Sequence, residues 1–231
     1  MGGEIGAKWA REYNKSRKIF PPLKGNIKVG NLDWHDVNLG FAILKDLIIK
    51  DCRNICLIQL GASSGKEISY LAKNFSEAEF IYTDIFEETT SYAKSQFLNS
   101  NLKYVTCPAE SIPALVEISN KKKLIIYSSG SAQYVFPENL EFTFKLFSKV
   151  QNKEINIIFD EPGNCSNINP KTLKGSYPRG NFSYTHNYRY YAEKYGFQTL
   201  RWNIIQPFLP QEEFFPHHQG TVQLCGWFVK K

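Results

Sequence analysis

Long apolar runs are missing from this chain. The longest aliphatic stretches, such as Ile55–Leu60 and Leu124–Tyr127, are strand-sized and fall well short of the roughly 20 residues that a membrane-spanning helix needs. The N-terminal segment carries Glu4, Lys8, Arg11, Glu12 and Lys15 and lacks the apolar core of a signal peptide, so a cytoplasmic location is the expectation. Metal-binding spacing is absent too. Cys52, Cys56, Cys107, Cys165 and Cys225 are scattered and form no C-x-x-C pair, which argues against zinc and for free thiols. His217-His218 has no third ligand nearby in sequence. No metal is expected. There is no internal repeat, and no segment combines low hydrophobicity with high charge as disordered chains do.

What remains is the composition of a globular domain. The 231 residues are 42% hydrophobic and 22% charged, with 15% aromatics, and this length suits one domain with a layered core. The net charge of +6 is mild, and the Lys121–Lys123 run reads as a solvated turn before a strand rather than a nucleic-acid patch.

From residue 51 onward, strand-like runs alternate with amphipathic stretches, the pattern of a parallel sheet covered by helices on both faces. Strands are predicted at about 55–60, 79–84, 102–106, 124–129 and 154–160, with helices at about 65–74, 87–98, 110–118 and 137–150. Pro137 and Glu138 suit the first turn of the last of these. Residues 161–184 have no clear period and are rich in Gly, Pro, Ser and Asn. They are expected to form a long functional loop. A helix is predicted from about Thr185 to Tyr195, stopped by Gly196. The last two strands, about 197–205 and 221–229, have no crossover helix between them and should pair antiparallel. The first 50 residues are expected outside the sheet, as a cap with a helical start around Trp9, a break at Pro21-Pro22 and a helix near 34–49.

The ends of the predicted strands carry the candidate site. The first runs through Gln59 into Gly61-Ala62-Ser63-Ser64-Gly65 and then a helix. Small residues there let backbone approach a ligand, and the helix N-terminus offers unpaired N–H groups to an anion. A tight strand–helix turn with nothing bound would look the same. The second strand ends in Asp84-Ile85, 23 residues after Gly61, close to the spacing of about 20 at which a βαβ unit places an acid on ribose hydroxyls. Asp84 would serve equally as a cap for the next helix. The third strand leads into Ala109-Glu110, and the fourth ends at Ser128-Ser129-Gly130-Ser131.

Taken in this order, residues 55–163 resemble the cofactor-binding core of class I S-adenosylmethionine (SAM)-dependent methyltransferases of the small-molecule type. Gly61–Gly65 matches the glycine-rich first motif, Asp84 the acidic ribose ligand, Ala109-Glu110 the adenine-side turn, Ser128–Tyr134 the fourth motif and Asp160–Gly163 the turn after strand five. The resemblance implies a Rossmann-like α/β fold, a seven-stranded mostly parallel sheet with an antiparallel last strand. It also implies SAM as cofactor, held by Gln59, Gly61, Ala62, Ser63, Gly65, Asp84, Ile85, Ala109, Glu110 and Ser128. Two positions depart from the pattern. Gln59 stands where the family has an acidic residue, and Ser63 replaces the middle glycine.

An enzyme of this kind aligns a nucleophile with a sulfonium methyl group, and a hydroxyl acceptor also needs a base. His186, Glu161 and Asp160 are the candidate catalytic groups. His186 sits among tyrosines and fits a structural role as well; Asp160 and Glu161 fit a solvated loop or a cap. His35, Arg179, Tyr184 and Tyr188 are candidate substrate contacts, although Asp33 before His35 also marks an ordinary helix start. Tyr177, Phe182 and Tyr184 offer a stacking wall, while Arg179 and Arg189 favour an anionic acceptor. No N-P-P-Y or D-P-P-Y signature of amino-methylating nucleic-acid enzymes occurs, which points to a small-molecule acceptor on oxygen or nitrogen. The alternatives are an RNA methyltransferase and a methyltransferase-like binding protein without turnover. A nicotinamide-dependent oxidoreductase would want G-x-G-x-x-G, which this turn lacks.

Overall fold

The computed structural model describes residues 28–29, 32–33, 39–164, 169–180, 182–205 and 221–231. It divides into two units, residues 1–38 and 39–231. Within the first, Lys28–Val29 and Leu32–Asp33 form a small antiparallel pair. The expected helical start around Trp9, the Pro21-Pro22 break and His35 lie outside the described residues, as do Cys165 and His217-His218.

The second unit is built on a seven-stranded sheet. Its strands in chain order are β1 (Ile55–Gln59), β2 (Glu79–Asp84), β3 (Leu102–Thr106), β4 (Lys123–Ser129) and β5 (Glu154–Asn164), then β8 (Gln198–Ile205) and β9 (Thr221–Lys230), with the hairpin strands β6 (Ser176–Gly180) and β7 (Ser183–His186) outside it. The spatial order is β8-β9-β5-β4-β1-β2-β3. Strands β1 to β5 pair in parallel, and β9 runs antiparallel to both β5 and β8. The expected sheet, one reversed strand included, is therefore the observed one.

The helices are α1 (Leu39–Asp51), α2 (Lys66–Asn74), α3 (Glu87–Gln96), α4 (Ile112–Ile118), α5 (Pro137–Lys149) and α6 (Tyr188–Lys194). They form two layers because every central strand is apolar on both sides. Cys56 and Ile58 of β1, Leu124 and Ile126 of β4, and Ile155, Ile157 and Phe159 of β5 pack with Ile112, Leu140, Phe144 and Tyr191 of α4 to α6. The alternate residues Ile55, Leu57, Ile125, Tyr127 and Ile158 pack with Phe41, Leu44, Ile68, Leu71 and Ala93 of α1 to α3. Period-2 alternation between two apolar faces explains why these strands read as continuous hydrophobic runs.

Three expectations are corrected. The helix expected near 34–49 as part of a cap is observed as α1 in the core, with Phe41, Leu44 and Ile48 buried against the sheet. Its apolar stripe needs burial, and the sheet face beside α2 provides it. The expected loop at 161–184 contains regular structure: β5 continues to Asn164, and β6 and β7 make an antiparallel hairpin. Pro178 and a register shift between Pro178 and Gly180 break the alternation that marks a strand. The helix expected from Thr185 starts at Tyr188, because Asn187 accepts the Tyr190 N–H through Oδ1 at 3.1 Å and so caps it.

Among the described residues, Cys52, Cys56, Cys107 and Cys225 are free. No described helix is long and apolar enough to cross a membrane, and no group of three or more described His, Cys, Asp or Glu side chains is placed to hold a metal ion.

Phe144 sits at the centre of one layer, with Phe159, Tyr191 and Phe197 rings about it at 6.1, 6.1 and 6.0 Å. Phe144→Ala is expected to lower unfolding free energy by about 3–5 kcal/mol, read from equilibrium denaturant curves. A loss below about 1 kcal/mol would contradict this packing.

Candidate functional site

The sheet order places β1 beside β4, with the chain leaving these two strands toward opposite edges. In open α/β sheets a crevice forms at such a switch point, at the carboxyl ends of the strands. Here two turns meet across it. Ser131, after β4, donates through Oγ to the Gly61 carbonyl at 2.8 Å. A Cβ on Gly61 would lie 2.4 Å from that of Ser131, so the turn after β1 requires glycine at this point.

Residues 61–65 then turn sharply. Gly61, Ser63 and Gly65 have φ of +64°, +51° and +75°, so Ser63 adopts the left-handed conformation that the expected glycine would take freely. Two contacts hold it there: Tyr82 donates its hydroxyl to the Ser63 carbonyl at 2.7 Å, and the Ser63 N–H donates to Asp84 Oδ2 at 3.1 Å. Ala62 N–H bonds the Thr83 carbonyl at 2.9 Å. The turn is thereby fastened to the end of β2.

Asp84 is buried, and its other oxygen accepts the Phe86 N–H at 3.1 Å, the local bonding expected of a residue introducing α3. Ile85 beside it is 57% exposed, an apolar side chain presented to solvent at the end of β2. Ala109 and Glu110 form a short 3-10 turn after β3, and Glu110 accepts from Asn139 Nδ2 of α5 at 3.1 Å.

Asp160 and Glu161, which lie within β5, are deeply buried. Asp160 accepts the Gly40 N–H at 2.9 Å and a bond from Gln223 Nε2. It thus lies against the first turn of α1, where a negative charge suits the helix dipole. Burial raises its pKa, and the two bonds oppose the rise. Glu161 is fully buried and accepts from Ser128 Oγ at 2.6 Å and from the N–H groups of Ser131, Ala132 and Gln133 at 3.2, 3.0 and 3.2 Å. Ser128 therefore faces Glu161. Burial pushes the Glu161 carboxyl up to about 7 against these four donors.

His186 ends β7 with no exposure. Its Nδ1 meets Ser176 Oγ at 2.5 Å, and that hydroxyl also bonds Tyr191 OH at 2.8 Å. Burial lowers its pKa to about 4, while the Val135 and Ala132 carbonyls favour the proton. The ring is accordingly neutral at pH 7. Tyr188 is buried and stacks on Phe159 at 4.1 Å, so it faces the core rather than an open site. Tyr184 is half-buried and meets Phe136 edge-on at 6.0 Å. Arg179 donates to Gln133 Oε1 at 2.7 Å, tying the hairpin to the turn after β4. Arg189 instead pairs with Glu193 on the surface of α6 at 2.7 Å.

Sequence reasoning passed over Glu67. It lies in the first turn of α2, where Gln59 Nε2 donates to its Oε2 at 2.6 Å and Tyr127 OH reaches its Oε1 at 3.4 Å. Desolvation raises this carboxyl to about 7. An acid two positions beyond Gly65, with an amide at 59, was the available signal.

No family model matches the sequence, and comparison with curated proteins finds no match. Solved structures do match in fold, and the fold they share is that of the SAM-dependent methyltransferases. A protein described as a sarcosine dimethylglycine methyltransferase from Galdieria sulphuraria is 13% identical, with 82% of this chain and 83% of that one covered and a TM-score of 0.58. The magnesium protoporphyrin IX methyltransferase from Synechocystis PCC 6803, solved with bound SAH, is 12% identical over 96% and 95% of the two chains, with a TM-score of 0.56. A SAM-dependent methyltransferase from Aquifex aeolicus is 13% identical over 84% and 92%, at 0.54.

Glu161 also makes a prediction in pH. A carboxyl whose pKa rises on folding binds its proton more tightly when folded. The stability it contributes is present below the ordinary value of 4.5 and is lost as pH rises through about 7. The stability gap between wild type and Glu161→Gln should therefore narrow from low to neutral pH, measured by denaturation across that window. A gap that widens would show the carboxylate to be held ionised by its four donors.

Proposed function

We propose that this protein transfers a methyl group from SAM to an oxygen or nitrogen of a small-molecule acceptor. One observation carries the reading. The carboxyl ends of neighbouring strands bring together a turn with three positive-φ residues before the N-terminus of α2, an acidic end to β2 and open space after β4. At Gly130, a built Cβ would meet nothing within 4 Å.

The residues fit such a cofactor in size and polarity. The turn at Gly61–Gly65 would let the cofactor approach closely, and the N-terminus of α2 would receive its carboxylate. Asp84, at the carboxyl end of β2, would accept from the ribose hydroxyls. Ile85 would cover one face of the adenine, with Ala109 and Glu110 along its edge. SAM, when bound, supplies an electrophilic methyl group on a sulfonium. What the chain then contributes is alignment of the acceptor and exclusion of water.

The acceptor side is assigned to the β6–β7 hairpin. Tyr177 and Phe182 are exposed, and Tyr184 of the same hairpin packs edge-on against Phe136; together they would offer the acceptor aromatic contacts. Arg179 has N–H donors beyond the one given to Gln133 and would draw an anionic group. Glu161, Asp160 and His186 act in this reading as positioning residues: Glu161 holds the turn after β4, Asp160 holds α1, and His186 locks the hairpin through Ser176. A neutral, buried imidazole whose pKa is held near 4 is a weak base at pH 7. An acceptor whose nucleophile carries its own lone pair, such as an amine, needs no base from these three groups.

Three measurements follow. Incubating a cell extract with the protein and methyl-labelled SAM should label the small-molecule fraction. Label confined to RNA, or found nowhere, would overturn the small-molecule reading. Asp84→Ala should weaken SAM binding by about tenfold or more, from loss of about 1.5–3 kcal/mol per charged hydrogen bond; equal calorimetric affinities would remove Asp84 from the site. His186→Asn should lower the melting temperature while the folded fraction keeps turnover within about tenfold. A fall in kcat of about 10²–10⁴-fold without destabilisation would instead make it the base.

A further inference from the structure

We propose that Glu67 supplies the negative charge that receives the α-ammonium group of SAM, in place of the acid missing at position 59. The inference rests on the cofactor reading above and names one of its contacts.

Gln59 closes β1 and is 4% exposed. Its amide is oriented by the 2.6 Å bond from Nε2 to Glu67 Oε2, and its Oε1 is left buried without a hydrogen-bond partner. Such an orphaned acceptor costs free energy unless a donor reaches it. Beside it, Glu67 carries two oxygens whose partners are the Gln59 amide and the more distant Tyr127 hydroxyl. Among the described residues no lysine or arginine offsets its charge, and the charged influence on it is Asp160, which repels it. The cluster is therefore rich in acceptors and short of positive charge. An ammonium group is the complement, with three donors and no acceptor. One donor would go to Glu67 and one to Gln59 Oε1.

The placement suits an amino acid as a whole. The N-terminus of α2 attracts a carboxylate, and Glu67 projects from that helix's first turn toward the end of β1. A zwitterion would thus find each charge answered within one turn of helix. The arrangement also accounts for Gln59. An acid at both positions would force two carboxylates to within hydrogen-bond distance in a desolvated site, where both cannot ionise. With Glu67 present, an amide at position 59 removes that repulsion and still offers an acceptor to the ligand.

Calorimetry on the full chain tests this with two probes, SAM and 5′-methylthioadenosine, which lacks the amino-acid portion. Glu67→Gln should weaken SAM by about tenfold or more and leave methylthioadenosine affinity unchanged. The exchange variant Gln59→Glu/Glu67→Gln should recover most of the loss. Wild-type SAM affinity should also rise from about pH 5.5 to 7.5 as Glu67 ionises, and that rise should flatten in Glu67→Gln. Asp160 and Tyr127 are the other titratable groups facing Glu67; they remain in the variant, so a slope that persists there belongs to them and overturns the assignment. Equal weakening of both probes, or unchanged SAM affinity, overturns it too. The wild-type pH profile needs no variant and tests the idea even where Glu67→Gln fails to fold: a flat profile refutes it. Failure of the wild type to bind either probe would instead refute the cofactor reading itself.

Discussion

Folding removes two adjacent carboxylates, Asp160 and Glu161, from water at the end of β5, and neither forms an ion pair with a described residue. An isolated buried charge is costly unless hydrogen bonds replace its hydration. The fold answers with donors drawn from far along the chain. Asp160 takes the first turn of α1, 120 residues away, which explains why that helix lies in the core rather than over it. Glu161 takes three successive backbone N–H groups and the Ser128 hydroxyl, which fixes the turn after β4. Through Ser131 that turn reaches Gly61, and through Gln133 it reaches Arg179 of the hairpin. The turn after β1 and the β6–β7 hairpin are both referred to this one pair of acids.

The first turn takes a geometry that glycine favours with a serine at its centre. Ser63 sits at φ +51°, a conformation that glycine reaches without strain. The cost is offset locally by Tyr82 and Asp84, which bond its carbonyl and its N–H. At Gln59 the substitution is of charge rather than shape. A negative charge stands eight residues later at Glu67, in the first turn of α2, bonded by the Gln59 amide. Both departures are thus compensated by neighbours in space.

The sheet was legible because its signal is redundant. Each central strand is buried on both faces, so Ile55–Leu60 or Leu124–Tyr127 stands out as an apolar run whatever the local propensity. The hairpin was not legible. Ser176–Gly180 contains Pro178 and carries a register shift, and none of residues 176–179 is buried, so alternation never develops. The turn after β1 and the acid at the end of β2 stood out because glycine and an acid recur at fixed distances there. The roles of Asp160, Glu161 and His186 could not be read the same way. A carboxylate near a strand end looks identical in sequence whether it faces solvent, substrate or the backbone of a distant helix. Only the donors around it decide, and those come from residues such as Gly40 and Ala132 that carry no chemical signature.

Burial of these groups bears on what kind of catalyst this scaffold can be. A base must reach its substrate and exchange a proton with water at neutral pH. His186 has no exposure and is held neutral to well below that range, and both oxygens of Asp160 and of Glu161 are already engaged. Rigidity is what these contacts provide. A methyl group on a sulfonium is already activated, so a site of this kind needs little further chemistry once donor and acceptor are aligned, and effective molarities of about 10⁵ M or more are available from alignment alone. The buried network therefore suits a reaction in which the cofactor carries the reactivity and the protein carries the geometry.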